Sequence, residues 1–322
     1  MAERTKKQHL VAHFYLKRFC DSNGNVWSYS PDMEPFARIP SETAVQSNFY
    51  SPIVEGERYD DLETLLANIE SNAAPLWREL LSGAVFEGEK REKVALFLAA
   101  QYLRSPSAVR AGAELAALVQ HKTSSIIASH KEMNDKLLDE FEAEKGLQLS
   151  TEEREKLRQF VLGAENYQLD VLQSAGLPIL GGMGNLANIF SQMKWLVGKS
   201  KNQHLITSDN PVVRVCDPAT IHPIYGEGGF ANKTVRVTFP LSPTHMLEMN
   251  WAGRNHNKPV EIPKSLAREF NVARAVNAEK YVFANQRDGG IKNLCDKRIT
   301  KEKNPIAVSG PDDPKINIKR KL

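Results

Sequence analysis

Residues 195–215, WLVGKSKNQHLITSDNPVVRV, decide the fold. The runs WLVG, HLITS and PVVRV are short, β-branched and bounded by polar residues, the pattern of strands rather than helix. Between the last two lies Ser208-Asp209-Asn210-Pro211. Asp and Asn bond readily to nearby backbone, and a residue before proline is pushed towards extended geometry, so this tetrapeptide breaks one strand from the next. We read the stretch as the central strand pair, with Asp209 at a strand end facing a functional cleft.

Downstream the pattern stays β-rich. TVRVTFPL from 234, MLEMN from 246 and KYVFA from 280 read as strands, and Ser265 to Ala278 reads as a helix. Residues 217–233, DPATIHPIYGEGGFANK, form a long irregular loop of the kind that serves as a lid or binding loop. Tyr225, Phe230 and Arg236 make either a stacking platform beside it or ordinary packing. Upstream the period changes to that of helices. Leu62, Leu65, Leu66, Ile69, Ala73, Leu76, Trp77 and Leu80 predict a long amphipathic helix over 59–81 with a kink at Pro75. Further helices are expected over 90–103, 108–130, 131–147, 150–162, onward to Gln173, and 185–192. The N-terminal QHLVAHFYLKRF, residues 8–19, is a helix or extended arm leading into a strand at 26–30, and residues 31–57 are expected to be irregular.

The fold class is therefore α+β: an N-terminal arm, a central helical block over about 58–192, and a mostly antiparallel sheet over 193–285 packed on the helices. All of this is read as one domain, 1–292, followed by a basic, mobile tail, 293–322, closing on Lys319, Arg320 and Lys321. The segment 131–165 mixes Lys and Glu densely with few large apolar residues, as in a protruding helical hairpin, either a partner contact or simply a solvated pair.

Composition narrows the function classes. With 42 basic and 39 acidic residues the net charge is +3, too small for a global field that gathers nucleic acid. Three cysteines, Cys20, Cys216 and Cys295, lie far apart without C-x-x-C spacing, which indicates reduced thiols. The first residues lack the apolar block of a signal peptide, and no apolar run approaches the roughly 20 residues of a membrane span, so a cytoplasmic protein with no membrane partner is expected. Gly181-Gly182-x-Gly184 lacks the lysine and preceding strand of a phosphate loop, and neither a Gly-x-Ser-x-Gly elbow nor a deaminase pattern is present.

Taken together, QHLVAHFYLKRF, LITSDNPVV, FPLSP and VNAEKYVFA resemble the bacterial domain-of-unknown-function family 4238. The opening motif of that family is matched here by Gln8, His9, Tyr15, Leu16 and Phe19, with Val11 and Ala12 in its Val and Pro places and Ala12 departing from the pattern. The resemblance spans about residues 6–285. It also implies a shared polar set: Glu70 with Ala73 to Pro75, Gln101 with Arg104 and Pro106, Thr207 to Pro211, Pro240 to Pro243, and Asn271. It implies a shape and these residues, and no established activity.

The polar set has a physical logic of its own. Glu70, Gln101 and Arg104 lie on the apolar faces of their helices, and an ionised side chain buried without a partner costs several kcal/mol. Arg104 should therefore pair with Glu70 or Asp209, with Gln101 and His9 completing a network between helices and sheet. As a site it offers His9 as base, Asp209 and Glu70 as acid or ligand for a divalent cation such as Mg or Mn, and Arg104 as anion stabiliser. Gln8, Gln101, Ser208 and Asn210 would then be substrate contacts. His9 and His13 have the i, i+4 spacing of paired metal ligands, a weak signal without the rest of such a motif. Two functions stay open. One is a hydrolase or nuclease-like enzyme acting on a phosphate-bearing substrate, nucleotide or nucleic acid. The other is a non-enzymatic binding module in which the same network is structural and 131–165 meets a protein partner.

Overall fold

The stretch from Trp195 to Val215 does not close on itself as a strand pair. In a computed structural model it threads two different sheets; the structure describes residues 7–54, 57–163, 167–169, 172–201, 203–220, 229–256, 258–299 and 318–320. In chain order come β1 (Lys7–His9), the single turn α1 (His13–Leu16), β2 (Val26–Ser30), β3 (Met33–Arg38), β4 (Val45–Ser47), β5 (Ile53–Val54) and β6 (Glu57–Arg58). Residues 33–38 are thus not irregular. β3 pairs antiparallel with β2 from Val26↔Arg38 to Ser30↔Met33, with a bulge between Ser28 and Ser30. Pro35 is compatible with this because β3 is an edge strand, where a missing N–H leaves no ladder bond unmade.

The helical block follows the apolar period. α2 (Asp61–Ala73) breaks at Pro75 into a 3-10 turn, Ala74–Leu76, and resumes as α3 (Trp77–Leu81). α4 (Gly88–Leu103), α5 (Pro106–Ser129), α6 (Lys131–Lys145) and α7 (Thr151–Leu162) come next. α7 opens on a reciprocal cap between Ser150 and Glu153. Where a further helix towards Gln173 was expected, β7 (Tyr167–Leu169) stands instead. Then come α8 (Met183–Gln192), β8 (Lys194–Lys199), β9 (Thr207–Ser208), β10 (Val213–Val215), β11 (Arg236–Ser242), β12 (His245–Asn250), β13 (Val260–Glu261), α9 (Lys264–Asn277), β14 (Val282–Ala284), α10 (Gly289–Arg298) and β15 (Ile318–Arg320). The first residues of the expected tail are therefore folded: α10 is capped by Asp288 and buries Ile291 and Cys295. β15 pairs antiparallel with β7, and the rest of the tail beyond 299 lies outside the described residues.

The chain divides into two compact units. The first comprises 1–109 and 178–303, the second 110–177 and 304–322. The charged hairpin expected at 131–165 is thus part of a larger helical unit.

Within the first unit, one sheet has the order β10-β11-β12-β8-β13 and the other β3-β2-β14-β9. The first packs on an aromatic core in which Tyr15 lies 4.7 Å from Phe239 and Trp77 lies 5.5 Å from Phe97, ring to ring. The Trp77 indole donates to the Leu241 carbonyl at 3.1 Å, so the largest core side chain is also satisfied. The second sheet divides its side chains by strict alternation. Tyr29 and Val282 are cross-strand partners, as are Trp27 and Ala284. They turn to one face and pack with Ile206, with Ala275 and Ala278 around the end of α9, and with Ile291 and Cys295 of α10. Phe36, Ser28, Phe283 and Thr207 line up across the strands on the opposite face.

Candidate functional site

The arm is held to the helices by the residues expected to form a cleft. Gln101 on α4 donates its amide to the Leu10 carbonyl at 3.0 Å and accepts the Ala12 N–H at 3.1 Å. It thereby replaces the ladder partners that the arm lacks once β1 ends. The same Gln101 oxygen accepts from Arg104 Nη2 at 2.5 Å, and Arg104 Nη1 donates to Glu70 Oε1 at 2.6 Å. Arg104 is buried and Glu70 half-buried, so the expected pairing with Glu70 is present. Among the described residues the Arg104 Nε has no hydrogen-bond partner. Gln8 is also fully buried, its amide donating to Ser51 Oγ at 2.5 Å while its oxygen accepts the Tyr50 N–H at 2.6 Å. Tyr50 in turn donates its hydroxyl to the Arg104 carbonyl at 2.8 Å.

His9 belongs to the same neighbourhood through the charges of Glu70 and Arg104. Its Nε2 lies 3.3 Å from the Pro40 carbonyl, and its ring 5.3 Å from that of His13. Desolvation holds the pKa of both histidines below the usual value. His9 sits in a strand and His13 opens α1, so the i, i+4 spacing is not a helical one.

Asp209 stands apart from this network. Neither His9 nor Arg104 is its partner: Oδ1 accepts the Glu279 N–H at 2.7 Å, and Oδ2 those of Lys280 at 2.7 Å and Tyr281 at 2.8 Å. The carboxylate thus caps the chain reversal between α9 and β14, three amides that no ladder serves. Burial pushes its pKa up to about 6 against those three donors, which pull the other way. Ser208 and Asn210 shape the turn. Ser208 Oγ donates to the Asn210 carbonyl at 2.9 Å, and the Asn210 amide reaches Ser107 Oγ at 3.2 Å. The expected single cluster is therefore two. Gln8, Gln101, Ser208 and Asn210 are each engaged in these bonds, and the two carboxylates accept from different donors, Glu70 from Arg104 and Asp209 from backbone amides. Among the described residues no three His, Cys, Asp or Glu side chains converge as metal ligands.

What Asp209 does reach is a pocket. A cavity of about 390 Å³ lies against part of the opposite face of the β3-β2-β14-β9 sheet, lined by Ser28, Phe36, Phe283, Tyr281 and Asp209. The opposite wall is the arm, Leu10 and Thr43 to Gln46, where the Leu10 N–H donates to the Ala44 carbonyl at 2.8 Å and β4 pairs with β1. Ala44 has φ 52° and Asn48 has φ 52°, so β4 is bracketed by two non-glycine residues in the left-handed region, a strained setting that recurs at ligand clamps. Two cations border the rings. The Arg38 guanidinium lies 4.9 Å from the Phe36 ring centre, and the Lys280 ammonium 5.1 Å from that of Tyr281.

Sequence reading missed Phe36, Arg38, Lys280 and Tyr281. The available signal was alternation. In MEPFAR the positions of Phe36 and Arg38 share a face, and in KYVFA Tyr281 and Phe283 do. It missed Arg274 as well. This cation of α9 is fully buried, donates from Nη2 to Thr238 Oγ1 at 2.7 Å and lies 4.1 Å from the Phe270 ring, and among the described residues its Nε and Nη1 find no partner. Phe230 packs edge-on against Tyr102 and Phe190 beneath Arg214. Tyr225 and residues 221–228 of the expected binding loop lie outside the described residues. Among the described residues no helix is long and apolar enough to cross a membrane.

Fold and pocket together define an α+β protein of two units, in which one sheet gives one face to the core and part of the other to a ligand-sized cavity. The chain belongs to the family described as Protein of unknown function (DUF4238), which matches residues 7–288. No curated protein and no solved structure matches it.

Proposed function

We propose that the protein binds a small planar ligand bearing a phosphate, of the mononucleotide class, in the pocket between the four-stranded sheet and the N-terminal arm. The observation that carries this reading is the pairing of aromatic rings with cations on one wall: Phe36 with Arg38, and Tyr281 with Lys280. A ring stacked on such a face gains about 1–3 kcal/mol, and a guanidinium beside it is placed for a phosphate. The His9, Glu70, Gln101 and Arg104 network then acts at one remove, fixing the arm that forms the far wall.

A hydrolytic version of this reading has one supporting observation. Asp209 borders the cavity and its pKa of about 6 suits a general acid or base near neutral pH. Calorimetric titration with a panel of mononucleotides and the matching nucleosides tests the binding. We expect the phosphate-bearing member to bind more tightly, and the double substitution Arg38→Ala, Lys280→Ala to remove at least tenfold of that preference. Absence of binding at millimolar nucleotide, or affinity indifferent to the double substitution, overturns it. Turnover in the presence of Mg²⁺ that Asp209→Asn abolishes while binding persists would establish the hydrolytic version.

A further inference from the structure

The floor of the pocket holds a hydroxyl that the fold does not use. On β2, alternation sends Trp27 and Tyr29 to the core and Ser28 to the cavity, where its register partners are Phe36 of β3 and Phe283 of β14. β2 is an interior strand, a setting that favours β-branched and aromatic side chains, and here a serine stands between two rings. Ser28 is 2% exposed, and among the described residues its hydroxyl makes no hydrogen bond. Two other polar groups of the lining are already engaged. Thr43 donates its hydroxyl to the Ile39 carbonyl at 2.9 Å, and the Asp209 carboxylate accepts its three backbone amides. A buried polar group left without a partner favours a ligand that supplies one.

Exposure sorts the lining by depth. Ser28 and Phe283 are buried, Phe36 and Tyr281 are half-buried, and Arg38 and Lys280 are exposed. The Phe36 and Tyr281 rings approach edge to face, with centres 6.1 Å apart, from the two strands that flank β2. Hydroxyl, rings and cations thus follow one another from floor to mouth. Resting on the reading that the pocket takes a mononucleotide, we propose that Ser28 is the residue by which it recognises the base. The polar edge of the base meets the Ser28 hydroxyl, and the phosphate stays at the mouth beside Arg38 and Lys280. A hydroxyl both donates and accepts, so it pairs with a ring nitrogen, a carbonyl or an amino group of a nucleobase, whereas a ring with an apolar edge leaves it unpaired. Ser28 therefore determines specificity through the base and not through the phosphate.

Calorimetric titration of the full chain with the 5′-monophosphates of adenosine, guanosine, cytidine and uridine, and with that of benzimidazole riboside, tests this. The last keeps ring, sugar and phosphate and lacks the polar edge of the six-membered ring. One hydrogen bond corresponds to roughly tenfold in affinity, so the best-binding natural nucleotide should exceed the analogue by that factor on the unaltered protein, a comparison that needs no variant. Ser28→Ala should remove most of the difference while keeping its affinity for the analogue within about twofold. A natural nucleotide bound no more tightly than the analogue, or a preference that Ser28→Ala leaves intact, overturns this inference and leaves the pocket reading standing. The same holds if Ser28→Ala weakens every ligand alike, as a structural role would. Absence of binding by all of them overturns both.

Discussion

Gln101 shows how much a single neutral side chain can organise. It serves two backbone groups of the arm and one guanidinium, and all three lose their partner together in Gln101→Leu. At about 1–3 kcal/mol for each buried group left unsatisfied, not fully additive, that variant should lose about 2–5 kcal/mol in urea unfolding and expose the arm to proteolysis before global unfolding. A loss of unfolding free energy below about 0.5 kcal/mol would contradict the role given to it. This residue was legible in the sequence, as were Glu70 and Arg104, because polar groups on an apolar helical face must find partners. Asp209 was legible as important and misplaced in its company. Its partners are backbone amides some seventy residues away, at Glu279, Lys280 and Tyr281, and backbone donors carry no mark in a sequence.

Among the elements, helices read well and sheets poorly. The kink at Pro75 and the cap at Ser150 are local events, fixed by residues a few places apart. The stretch 195–215 was read correctly as strands and wrongly as a pair, because pairing depends on β12 and β14, far along the chain. Turns between elements are similarly exacting where backbone approaches backbone. Gly83, after α3, has φ 74°, and a Cβ there would stand 2.6 Å from the Lys258 carbonyl carbon and from the Pro259 nitrogen. Gly83→Ala should therefore cost about 2–4 kcal/mol, combining left-handed strain with displacement of a neighbouring strand lead-in. Thermal unfolding measures it, and an unchanged Tm would mean that the close approach is not present in solution.

For the whole molecule, titration sets an acid limit. His9, His13 and His245 all have pKa values lowered by desolvation, so the unfolded chain binds their protons more readily. Their contribution to stability is present above pH 6.5 and is lost as pH falls through the folded-state values. Asp209 has the opposite sign: its folded pKa of about 6 lies above the usual 3.8, so its contribution grows as pH falls from 6 towards 4. The two effects oppose each other below pH 6, so the test is comparative: from pH 8 to pH 5 the urea midpoint of His9→Asn should fall less than that of the unaltered protein, and an identical pH dependence would remove His9 from the account. The division into two units was not legible, since no linker marks it and α5 carries the chain from one into the other. One feature of the sheet bears on how such a protein can diversify. β14 presents Val282 and Ala284 to the core, while Phe283 and the adjoining Tyr281 line the cavity. A point substitution at the half-buried Tyr281 alters the cavity wall without disturbing the core, whereas Phe283 is buried and belongs to both. Inserting or deleting one residue there would exchange the two sets and turn the pocket inside out, so relatives with altered specificity are expected to differ in residue identity within this segment and not in its length.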